Sequence, residues 1–105
     1  MLLILGLVGA ALVAGAFVYL AVKLTVSVLK MFKTKKNSKV MAAAVKDLIR
    51  QAPTMKLDDL DEDDVILAEY DEDKDDLVDD IQIATDVDIR VCNILDMSGG
   101  IVVFD

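Results

Sequence analysis

The residues best suited to chemistry lie in "YDEDKDDLVDD" (70–80), where seven acids surround one Lys, one Tyr and the pair Leu77 and Val78. Alternating carboxylates hold hard divalent cations. A calcium loop of the EF-hand kind asks for oxygen ligands at positions 1, 3, 5, 7 and 9, Gly at 6 and a bidentate Glu at 12. Counted from Asp71, the first, third, fifth and ninth positions are Asp71, Asp73, Asp75 and Asp79, with Val78 at the apolar eighth. The sixth is Asp76 rather than Gly and the twelfth is Gln82 rather than Glu. The cheap tight turn and the bidentate ligand are both missing, so these four aspartates define a loose, weak divalent site as one alternative. The other readings are a docking surface for something basic and a solvated turn.

Other chemistries find little purchase. There is no His, which removes the commonest general base and the imidazole ligand. Ser27, Ser38 and Ser98 have no histidine to activate them, so triad chemistry is unsupported. The single Cys92 excludes an intrachain disulfide, and neither a zinc cluster nor a glycine-rich phosphate loop is present. Basic residues interleaved with aromatics, as nucleic acid asks, are confined to one short stretch near residue 30. The expectation is a protein that is no enzyme, carries no cofactor and binds no nucleic acid.

Charge is divided unevenly. Residues 1–56 hold nine Lys/Arg against the single acid Asp47, while 57–105 hold two basic residues against eighteen acids, giving halves of +8 and −16 within the total of −8. Such a split bears on partners and orientation rather than on fold. Residues 1–22, "MLLILGLVGAALVAGAFVYLAV", carry no charge at all. As one helix they would run about 33 Å, enough to cross a hydrocarbon core of about 30 Å. The "AGA" at 14–16 resembles a signal-peptide cleavage site, but no positive n-region precedes it and no polar region ends the apolar run. The run therefore reads as a transmembrane helix. Gly6, Ala10 and Ala14 form a small-residue ridge along it, suited to helix packing and to homo-oligomerisation through the span.

Lys23, Lys30, Lys33, Lys35 and Lys36 follow the run, with Lys39 just beyond. The positive-inside rule then places the amino terminus outside and the remainder in the cytoplasm, at the cell (plasma or inner) membrane. Residues 23–39 read as a basic amphipathic juxtamembrane segment and linker, its lysines on the membrane surface and Leu24, Val28, Leu29, Met31 and Phe32 toward lipid.

Residues 40–105 read as a small acidic α+β domain. Met41, Val45, Leu48 and Ile49 make one stripe of a helix over about 40–51, with Pro53 as its stop. "VILAEY" (65–70) is a short apolar strand. "DIQIATDVDIRV" (80–91) alternates strictly, with Ile81, Ile83, Val87, Ile89 and Val91 on one face. "IVVF" follows the turn glycines of "MSGG" and gives a strand at 100–104 closing a hairpin. The fold class expected is thus a single-span membrane protein bearing one helix and three or four antiparallel strands. Its expected work is that of a membrane-anchored, non-catalytic adaptor or modulator, with the lipid bilayer and a basic protein as partners. The alternative is a small membrane-active protein of the holin or toxin-regulator kind, whose span acts and whose acidic tail restrains it.

Overall fold

Gly15 decides how the uncharged amino-terminal run folds. In the computed structural model, which describes residues 2–51, 57 and 60–104, helix α1 covers Leu2–Ala14. Gly15 then adopts a left-handed conformation with φ of 74°. Its N–H donates to the Leu12 carbonyl at 3.3 Å, and the Ala16 N–H reaches back to Ala11 at 2.8 Å. This pair of bonds is a Schellman lock, which ends a helix. The 13 residues of α1 extend for about 20 Å, well short of a hydrocarbon core. No helix among the described residues is long and apolar enough to cross a membrane. The transmembrane helix read over 1–22 and the single-span membrane class built on it are corrected accordingly. Hydrophobicity here serves a protein core: Ile4 and Val8 are buried in one cluster with Met41, Ile66 and Ile81. Beyond the lock, an aromatic and a β-branched residue favour extension, and β1 (Phe17–Tyr19) forms.

The basic segment is corrected in the same sense. Leu24 makes a parallel bridge to Val87. Thr25 then caps a six-residue helix, α2 (Val26–Met31), its hydroxyl oxygen accepting from the Val28 N–H at 3.2 Å. The apolar side of this segment, Leu24 and Leu29 with Val28 and Phe32, packs in a protein cluster rather than in lipid.

Residues 38–44 are strand, not helix. β2 (Ser38–Ala44) pairs antiparallel with β3 (Val65–Asp71) on one side and with β6 (Ile101–Phe104) on the other. Alanine prefers helix by less than 1 kcal/mol per residue, a preference that strand pairing on both edges overrides. Because this strand is covered on both faces, no alternation betrayed it. Only Val45–Gln51 are helical (α3), burying Val45, Leu48 and Asp47; Pro53 lies outside the described residues.

The alternating stretch 80–91 also divides. β5 is Ile81–Ala84. Asp88 then caps α4 (Ile89–Met97), accepting from the Arg90 N–H at 2.9 Å. Val91 and Leu95 face the core while Ile89 is 70% exposed. The glycines of "MSGG" end this helix instead of turning a hairpin: Gly100 donates to Leu95 at 2.7 Å and Gly99 to Asp96 at 3.4 Å, a second Schellman lock.

Including β4 (Asp76–Leu77), the described residues form a sheet of six strands in the order β1-β5-β3-β2-β6, with β4 beside β3. It is mixed, since β1 runs parallel to β5 while the other pairs are antiparallel. Each face carries its own core. On one lie Met41, Ala43, Ile66 and Ile81 with α1 and α3; on the other lie Val40, Ala42, Leu67 and Ala84 with α2 and α4. The result is an α+β fold with four helices among the described residues, in place of one helix on a small antiparallel sheet.

Candidate functional site

A slip in strand register builds the most distinctive surface feature. Tyr70 faces Leu77, whereas Leu67 faces Gln82. Three steps along β3 thus span five along its partner, and the two surplus residues leave the ladder as a bulge at 79 and 80. Bulges break pairing and re-aim side chains. The Val78 N–H still donates to the Glu69 carbonyl at 2.8 Å, while Asp79 and Asp80 stand exposed. Beside them lies a groove of about 300 Å³ whose apolar wall is Val28, Met31 and Phe32, with Gln82 of β5 alongside the two aspartates.

Glu69 sits at the base of that groove and was read from sequence only as part of an apolar run. Its carboxylate accepts from the Thr34 N–H (2.8 Å), the Thr34 hydroxyl (2.7 Å), the Lys35 N–H (2.9 Å) and the Ser38 hydroxyl. Burial pushes the carboxyl up, but the hydrogen bonds from Ser38, Lys35 and Thr34 outweigh it and hold the group below its ordinary value. The side chain is therefore a bracket that ties the segment after α2 onto the sheet. An acid inside "VILAEYD" was the available signal, because a charged residue within a buried strand needs a dedicated set of donors.

The four candidate metal ligands are dispersed among separate local tasks. Asp71 is buried, pairs with Lys35 at 3.3 Å and accepts from the N–H groups of Asp73 and Lys74, closing the hairpin turn. Its burial raises the pKa, yet the bond from Lys35 and the two backbone N–H groups leave it lowered. Asp73 accepts from the Asn37 amide at 3.2 Å. Asp75 takes the left-handed turn position, φ 52°, and accepts from the Tyr70 hydroxyl at 2.7 Å. Asp79 accepts from the N–H of Asp80. Among the described residues no three His, Cys, Asp or Glu side chains are grouped to hold a metal ion.

Of the lysines assigned to a membrane surface, Lys35 pairs with an acid of the hairpin. The β2–β3 register sets Ser38 opposite Asp71 and Lys39 opposite Tyr70, which brings the basic stretch against the acidic one. Lys35 bonds Asp71, Lys39 lies 3.8 Å from Glu72, and Lys33 and Lys36 line a depression with Glu72 and Asp73. Lys23 and Lys30 are exposed, as are Gly6, Ala10 and Ala14 on the outer side of α1. Part of the opposite charge that divided the two halves is thus neutralised within the chain.

Tyr70 supplies a direct check on the hairpin. The hydrogen bond to Asp75, then burial, then the charges of Asp75, Glu72 and Asp71 push its phenol up to about 12 from 10.0. In a Tyr19→Phe background, ultraviolet titration is expected to show phenolate forming near pH 12, and Asp75→Asn should lower that midpoint. A raised folded pKa stabilises below the unfolded value, so this contribution is complete below pH 10 and fades as pH rises toward 12. A midpoint near 10.0 would mean the hairpin contact is not formed in solution.

A second cavity of about 320 Å³ lies near the amino-terminal end of β3, lined by Glu62, Asp63, Asp64 and Asp86 with Lys46 and Cys92. Lys46 bonds Asp96 at 3.2 Å across it. The fold and grooves together define a small α+β domain with an acidic hairpin. No protein-family model, curated protein or solved structure matches this chain.

Proposed function

We propose that this chain is a non-catalytic docking domain that receives a basic segment of a protein partner at the bulge groove. The observation that carries this reading is the placement of Asp79 and Asp80, forced out of the ladder by the register slip, beside the apolar wall of Val28, Met31 and Phe32. A Lys or Arg side chain has that same division: an aliphatic stem that buries along apolar surface and a cationic head that seeks carboxylates. Exposed acids at Asp73, Asp75 and Asp76 along the adjoining hairpin would raise the encounter rate of a positively charged segment.

Binding of a fluorescein-labelled peptide alternating Arg and Leu tests the reading by anisotropy. Asp79→Asn with Asp80→Asn is expected to weaken binding about tenfold, a loss of about 1.4 kcal/mol. The charge-matched control, Asp61→Asn with Asp63→Asn, should weaken it far less. Binding should also fall steadily with added salt, because exposed charges are screened. Equal losses in the two double variants would show diffuse attraction to a −8 protein and sink the groove as the site.

A further inference from the structure

The strand at one end of the sheet is unlike the rest of the surface. Among the described residues β1 pairs only with β5, and the Leu20 N–H donates to the Ile83 carbonyl at 2.9 Å. Successive residues of a strand present their N–H and C=O groups to opposite edges. The backbone groups of Phe17 and Tyr19 therefore point away from β5, along the open edge. Natural edges are normally guarded by Lys, Pro or inward-facing charge; residues 1–22 contain none of these. Of the eight large apolar side chains exposed among the described residues, four cluster in this short stretch: Val13 at 69%, Val18 at 46%, Tyr19 at 55% and Val22 at 56%. The opposite end of the sheet differs, since every residue of β6 is half-buried and none is among the exposed apolar side chains.

We propose that two copies of this chain associate through β1, antiparallel about a two-fold axis, joining their sheets into one. A two-fold contact sets a surface against its own image, so a patch carrying one sign of charge opposes itself. This protein carries −8, with acids concentrated on the hairpin, the bulge and the 61–64 turn. The uncharged stretch is the one that can meet itself without opposition, and it offers no charge with which to recognise a basic partner. Backbone pairing supplies register and the exposed valines and tyrosines supply apolar burial, as in strand addition generally. The short strand limits the strength, and dissociation is expected on the order of 10 μM.

Sedimentation equilibrium of the full chain, from low to high micromolar concentration, tests this. A monomer–dimer equilibrium is expected that tightens with added salt, because screening relieves repulsion between two acidic copies. Salt acts oppositely on the basic peptide at the groove, so the two proposals fail separately. Val18→Lys should weaken the dimer at least about tenfold with an unchanged circular dichroism spectrum, whereas Met97→Lys, at an 88% exposed site on α4, should leave it intact. If Val18→Lys misfolds, amide exchange of the unmodified protein decides: the Tyr19 N–H should be protected at high concentration and unprotected at low. A monomer throughout, a dimer indifferent to Val18→Lys, or a Tyr19 amide exchanging equally at both concentrations would overturn the proposal. The first of these would leave the edge for a strand of another protein.

Discussion

Replacing Glu69 by Leu is expected to destabilise the fold by about 3 kcal/mol, because buried donors stranded without an acceptor cost about 1–3 kcal/mol each. Four donors converge on this carboxylate, two backbone N–H groups and two hydroxyls. Some of the loss is recovered by water, since the segment 34–37 is exposed; the estimate therefore stays well below the sum of four. A domain of this size holds only about 5–15 kcal/mol in total, so the effect is large. Glu69→Gln keeps one acceptor oxygen and the shape, and should be milder. Urea unfolding measures both, and amide exchange at Thr34 and Lys35 should rise first in the Leu variant.

The pH dependence has a definite sign. Glu69 has a folded pKa below its ordinary value of 4.5, so its contribution is complete above pH 4.5 and is lost as pH falls through the lower folded value. Asp71 is depressed likewise and adds to the same acid window. The stability difference between the natural chain and Glu69→Gln should consequently shrink below pH 4.5. A Leu variant as stable as the natural chain, with an unchanged acid limb, would show that the bracket contributes nothing.

Gly100→Ala carries the second large expected effect. A Cβ at this position would lie inside the van der Waals envelope of the Asp47 side chain. Asp47 cannot withdraw freely: it is 6% exposed and held by Arg50. The backbone is also left-handed here, with φ of 96°, a conformation that side chains resist. Overpacking of about 1–3 kcal/mol and backbone strain of about 1–3 kcal/mol act together. A loss of roughly 3 kcal/mol is therefore expected in urea unfolding. The affected contacts are structural, since the Gly100 carbonyl receives the Ala44 N–H at 2.8 Å where β2 meets α3. Asp47→Ala should soften the penalty by vacating the space. If Gly100→Ala were as costly in the Asp47→Ala background, the clash would be the wrong explanation and strain the whole of it.

Sequence alone settled the local grammar. It located the acidic stretch at 70–80 and the apolar strand beginning at Val65, and it showed no His and a single Cys. It also contained three stop and start signals whose meaning depended on context: Gly15, the cap residue Asp88, and Gly99 with Gly100. A glycine in an apolar run is compatible with either a membrane helix or a helix end. Only the bonds from Gly15 to Leu12 and Ala16 to Ala11 decide for an end here. Tertiary pairing decided the rest. "MAAA" is strand because partners on both edges outweigh alanine's small helical preference, and a strand buried on both faces shows no alternation to read. The strict alternation over 80–91 misled for the opposite reason, as its last three residues open a helix that turns Val91, with Leu95 beyond, inward and leaves Ile89 exposed. Asp79 and Asp80 acquire their special position from a register slip between β3 and the chain returning from the hairpin turn, a relation between two segments that neither encodes by itself.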